Sequence, residues 1–89
     1  MKATQTGGFF NIHIMKIKFI WDFKGEAGKP TADHHAIHLK DYIEKHQLLD
    51  CSTGVEQVSD MHSIAYLIAD EKYLEKIKQE LRPRRAVQA

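Results

Sequence analysis

A single cysteine in 89 residues excludes an internal disulfide, and Cys51 has no second thiol with which to build a zinc or dithiol redox pair. That usage fits a reducing compartment, so the expected location is cytoplasmic. Long apolar runs are missing as well. The stretch 9–23 is broken by His13, Lys16, Lys18 and Asp22, well short of the ~18 apolar residues that a membrane span needs. The N-terminus has no continuous apolar segment ahead of a small-residue cleavage site, so no signal peptide is expected. An excess of positive charge is absent too. Thirteen basic and twelve acidic side chains leave +1, whereas nucleic-acid domains draw their affinity from a surplus of cations against phosphate. Nucleic acid is therefore not an expected partner. There are no internal repeats and no low-complexity tract.

What remains is the composition of a small globular domain, 43% hydrophobic. One domain is all that this length accommodates. A chain this short buries only about 60–65% of its unfolded surface, so without a disulfide or metal the remaining source of stability is association. Residues 1–8 are polar and end in two glycines, and read as a flexible tail. From Met15 the alternation is clean, with Ile17, Phe19, Trp21 and Phe23 on one side and Lys16, Lys18, Asp22 and Lys24 on the other. Before Met15 the phase reverses to Phe10, Ile12 and Ile14. Residues 1–14 are thus assigned to a flexible or extension segment, and 15–89 to the domain.

The span 25–30 reads as a loop, with Thr31 as the cap of a helix whose apolar stripe is Ala32, Ala36, Leu39 and Ile43 and which runs to about Leu48. The segment 50–54 reads as the break, 55–58 as a short strand, 59–60 as a turn and 63–69 as a stronger strand. Asp70 caps a second helix with the stripe Leu74, Ile77 and Leu81, which Pro83 ends. Residues 84–88 read as a short edge strand or a frayed end. This order predicts an α+β fold, a ferredoxin-like β-α-β-β-α-(β) sandwich in which two helices cover one face of an antiparallel sheet. The strand 63–69 is apolar on both sides, with Ile64, Tyr66 and Ile68 opposed to Ala65, Leu67 and Ala69. Two helices shelter only one side, so the other calls for a second copy of the chain. Lys16 and Lys18 share that uncovered side and would run their stems toward its rim.

Six histidines are present, four of them in or near the first helix: His34, His35, His38 and His46. His34 and His38 stack at i, i+4 with Asp41 next in line, the spacing that presents two imidazoles and a carboxylate to one metal ion. His35 falls at the edge of the buried stripe under the loop 25–30. Asp22 is the carboxylate expected to orient it for acid–base work, so the candidate catalytic pair is His35 and Asp22. The candidate ligand-binding set is His35, Trp21 and Tyr66. Trp21, Phe19 and Phe23 read as core rather than as stacking platforms for RNA. The run 82–85, ArgProArgArg, reads as an anion site or as cations suited to a helix C-terminus. Asp50 disfavours the thiolate of Cys51, so no nucleophile is expected there.

The segment HisAlaIleHisLeuLysAspTyrIleGluLysHisGlnLeuLeu (35–49) resembles the first helix of YCII-related proteins, small members of the dimeric α+β barrel superfamily. The resemblance implies a dimer of ferredoxin-like units and a His–Asp pocket, with His35 at the position of the family's active-site histidine. Three functions follow as expectations: a homodimeric module binding a small ligand or protein partner without chemistry, a YCII-like enzyme using His35, and a metal-binding protein using the helix histidines. The sequence leaves the identity of any cofactor unknown.

Overall fold

The computed structural model describes residues 15–89; the expectations for 1–14 lie outside the described residues. The alternation that begins at Met15 becomes strand β1 (Lys16–Lys24). Helix α1 (Gly28–Lys45) starts earlier and ends earlier than the sequence predicts. Pro30 misleads because it sits in the first turn, where a backbone N–H has no helical partner in any case. Thr31 is inside the helix, its N–H bonded to Ala27 O and its Oγ1 donating to the same carbonyl. Gly28 makes this start fit. A Cβ there would lie 2.6 Å from Phe23 O, so the first turn rests directly on the end of β1.

Strand β2 (Ser52–Ser59) is twice the predicted 55–58 segment, and β3 (His62–Asp70) follows through a tight turn at Asp60–Met61, with a bulge between Gln57 and Ser59. Asp70 does act as a cap, but of a 3₁₀ turn (Glu71–Tyr73), where its carboxylate accepts from Lys72 N–H at 2.9 Å. Helix α2 (Leu74–Leu81) continues from that turn and ends at Arg82, which takes a left-handed conformation just ahead of Pro83. Residues 85–88 do pair, as β4 (Arg85–Gln88).

The four strands form one antiparallel sheet in the order β2-β3-β1-β4. Phe19, Trp21, Ala65, Leu67 and Ala69 meet Ala32 and Leu39 of α1 and Ile77 of α2, so both helices cover the same face. Phe19, Leu39, Leu67 and Ile77 are fully buried, each worth about 1.5–3 kcal/mol on the usual area scale. Trp21 adds a tie, its indole N–H donating to Leu81 O at 2.9 Å across the end of α2. The other face carries Lys16, Lys18, Ile20, Asp22 and Lys24 of β1, Ile64, Tyr66, Ile68 and Asp70 of β3, Glu56 of β2, and Arg85 and Val87 of β4. Among the described residues no helix lies over it, and no helix is long and apolar enough to cross a membrane.

Candidate functional site

Strand parity decides which of the candidate residues meet. Trp21 and Phe23 face the helices, and the His35 ring lies against both, with centroids 5.0 and 5.5 Å apart. Burial, reinforced by the positive charge that His38 and His34 acquire, holds the His35 imidazole below its ordinary pKa. Its Nε2 is buried and has no hydrogen-bond partner among the described residues. Asp22 belongs to the opposite side of β1, so the expected His35–Asp22 pair is not what this fold brings together. Alternation alone separates the two, because a residue between Trp21 and Phe23 must point away from the helix that carries His35.

The carboxylate of Asp22 has other partners. His62 Nε2 lies 2.8 Å from Oδ1, and Arg85 donates from Nη2 to Oδ1 at 2.9 Å and from Nε to Oδ2 at 3.2 Å. Asp22 is on central β1, His62 opens β3 and Arg85 opens β4, so three strands converge on one carboxylate. Burial alone would raise the Asp22 pKa. Hydrogen bonds from His62 and Arg85, with the charge on both, outweigh that and hold the carboxyl below its ordinary range. With its oxygens committed to two donors, Asp22 serves as a cross-strand tie and an anchor for Arg85, not as a free base.

Tyr66, expected beside His35 and Trp21, also lies on the helix-free face. Its ring spreads across Gly54 of β2, where a Cβ would come within 2.6 Å of Cζ, and Lys18 Nζ stands 4.7 Å above the ring centre. The candidate ligand set therefore divides, with His35 and Trp21 on one side of the sheet and Tyr66 on the other. Of the metal candidates, His34 and His38 do meet, Nε2 to Nε2 at 3.0 Å with rings edge to face. Asp41 does not complete them; no group of three or more His, Cys, Asp or Glu side chains able to hold a metal occurs among the described residues. Cys51 is half-buried, and burial with the neighbouring Asp50 and Asp70 charges pushes its thiol up despite Lys16 and Lys72.

Ile20 and Ile64 are only 5% and 4% exposed on the helix-free face, while Tyr66 and Ile68 are half-buried and Val87 is 44% exposed. Around this apolar row stand Lys18 with Glu56 at 3.5 Å on the β2 side and the Asp22–His62–Arg85 group at one end. Sequence reasoning did not find His62, and it read Arg85 only within the 82–85 run, as an anion site or a helix-end cation, not as a partner of Asp22. His62 and Arg85 are 40 and 63 residues from Asp22, and no local period links them. A scan against protein-family models, a search of curated proteins and a search of solved structures each return no significant match to this chain.

Proposed function

We propose that this chain is a ferredoxin-like module that pairs with a second copy through its helix-free sheet face and acts by binding, without chemistry of its own. The observation that carries the reading is the make-up of that face. Ile20, Ile64, Tyr66, Ile68 and Val87 share that face with four cations, Lys16, Lys18, Lys24 and Arg85, and three carboxylates, Asp22, Glu56 and Asp70, interleaved among them. A surface with near-balanced charges among apolar residues is self-complementary across a two-fold axis, which is what an isologous interface requires. The strand order β2-β3-β1-β4 supports the ferredoxin-like assignment, since it sets the two crossover connections on one side and leaves the other flat. Commitment of Asp22 to Arg85 and His62 supports binding over catalysis on this face.

Light scattering coupled to size exclusion tests it. The expected mass is twice the 10.3 kDa of one chain, and Ile68→Arg should return the protein to a folded monomer with unchanged far-UV dichroism. A wild-type chain that stays monomeric at several hundred micromolar, or a dimer indifferent to Ile68→Arg, overturns the reading. A second reading, a YCII-like acid–base enzyme, has one observation in its favour, the buried and unpartnered Nε2 of His35. Unsatisfied polar groups retained in a packed site are a feature of catalytic positions.

A further inference from the structure

A second surface lies at the far edge of the sheet. Between α2 and β4 runs an open groove of about 410 Å³, bounded by Ile17, Leu74, Lys78 and the continuous stretch 83–88. It exists because α2 has only eight residues and leaves Ile17 and Leu74 half covered beside the last strand. One end is apolar, where Ile17 is opposite Gln88 and meets Leu74. The other end is cationic, built from Lys78 and Arg84, and no acidic side chain lines any part of it. Among the described residues neither Lys78 nor Arg84 has a carboxylate within ion-pair distance, whereas Arg85 is held by Asp22.

The backbone beside this groove is also open. Ala89 N–H donates to Lys16 O at 2.8 Å, which fixes 85, 87 and 89 as the residues bonded to β1. The N–H and C=O groups of Ala86 and Gln88 therefore point to the free edge of the sheet, and among the described residues no strand pairs with them. Their side chains lie on the helix side, along the groove.

We propose that this groove receives an extended, acidic segment of a partner protein, which adds to β4 as a fifth strand. Main-chain bonds to Ala86 and Gln88 align it. Side chains two residues apart in a strand share a face and are separated by about 6.7 Å. An apolar one then packs on Ile17 and Leu74 while an acidic one reaches Lys78 and Arg84. The recognised pattern is one acidic and one apolar residue separated by a single residue, in an otherwise strand-forming segment. The docking edge is formed by Ala86 and Gln88, whereas β4 turns the side chains of Arg85 and Val87 to the helix-free face, so the two proposals meet on β4 and are told apart by their readouts.

The test is an NMR titration of isotope-labelled protein with two capped pentapeptides, Thr-Glu-Thr-Val-Thr and Thr-Val-Thr-Glu-Thr, and with the same peptides carrying Lys in place of Glu. At least one acidic peptide should shift the amides of Ala86 and Gln88, slow their exchange with solvent, and bind more weakly as salt rises. Ala86→Pro removes an outward N–H without touching the β1 ladder, and should weaken binding at least about tenfold. Lys78→Glu, on the exposed side of α2, should do the same through charge and serves if the proline variant does not fold. Three results overturn the proposal: unmoved Ala86 and Gln88 amides at saturating acidic peptide, equal binding of the lysine peptides, or concentration-dependent protection of Ala86 without peptide, which would mean that a second copy takes the edge. The molecular mass read by light scattering reports separately on the sheet-face dimer.

Discussion

Replacing His35 by leucine should stabilise the protein. Nε2 of His35 is buried without a hydrogen-bond partner, and an unsatisfied buried acceptor or donor costs about 1–3 kcal/mol. The ring contacts with Trp21 and Phe23 that leucine forfeits are tilted aromatic pairs, together worth about 1 kcal/mol beyond their area. Leucine keeps the apolar contact and removes the orphan nitrogen, so the net expected at pH 7.5 is about +1 kcal/mol. For a domain of this size that is roughly 4–8 °C in Tm.

The pH dependence sharpens the expectation. Burial lowers the folded pKa of His35 below its unfolded value, so the folded state resists protonation there. The stability tied to a neutral His35 is complete above the unfolded value of 6.5 and is lost as pH falls through the folded one. The leucine variant has nothing to protonate at 35. Its advantage should therefore widen from pH 7.5 toward acid, by no more than ~1.4 kcal/mol per pH unit, the limit for one proton. Chemical denaturation of both proteins between pH 7.5 and 5 measures this directly, with His34 and His38 present in both. A variant less stable than wild type at pH 7.5, or a difference that stays flat with pH, would refute the account of Nε2. A stabilised variant would also mean that His35 is retained at a cost, which strengthens the acid–base reading over the plain binding one.

Three further outcomes follow from the geometry. Asp22→Asn should lower stability at pH 7 by about 1–2 kcal/mol, discounted for the half-exposed Arg85, with the loss read by urea denaturation. Because the Asp22 pKa is depressed, that difference should be full above the ordinary carboxylate value of 3.8 and should disappear as pH drops through the folded value. Gly28→Ala places a Cβ 2.6 Å from the rigid Phe23 carbonyl and should cost about 2 kcal/mol or more in thermal unfolding, against near-neutral change for alanine at a well-formed helix start. Gly54→Ala drives against the Tyr66 ring, not backbone, so its cost of about 1–2 kcal/mol should largely vanish in a Tyr66→Ala background; additive losses in that double-mutant cycle would show that the ring does not lie on Gly54.

The elements that the sequence exposes are those with a strong local period. From Met15 to Lys24 the alternation is broken only by Ile20 and yields β1 (Lys16–Lys24), and the stripe Leu74, Ile77, Leu81 places Ile77 at full burial. The apolar run 63–69 likewise reads as a strand and falls within β3 (His62–Asp70). Legibility fails where a residue's usual meaning is overruled by a neighbour distant in sequence. Pro30 reads as a loop residue until the helix start is known. Ser52 to Gly54 reads as a break, yet these residues pair with Ile68 to Tyr66, and the Tyr66 ring fills the space that glycine leaves. The Asp22 group was hidden for a stricter reason: its three members come from three strands, and only the register brings them together.

Register also explains why one short strand matters to two surfaces. In β4 the side chains of Arg85 and Val87 belong to the helix-free face, while Ala86 and Gln88 border the groove and turn their backbone groups to the open edge. A strand docking at Ala86 and Gln88 would thus form bonds one residue away from the guanidinium that Asp22 holds. Arg85 is fixed at both ends, by ladder bonds to Ile20 and by its two contacts with the Asp22 carboxylate. The tie keeps β4 seated on β1 although all four of its residues are exposed and buried area contributes little to holding it. The Asp22–Arg85 contact therefore adds to the ladder and flanking backbone bonds that hold β4 on β1, and protonation of Asp22 in acid should weaken that contribution.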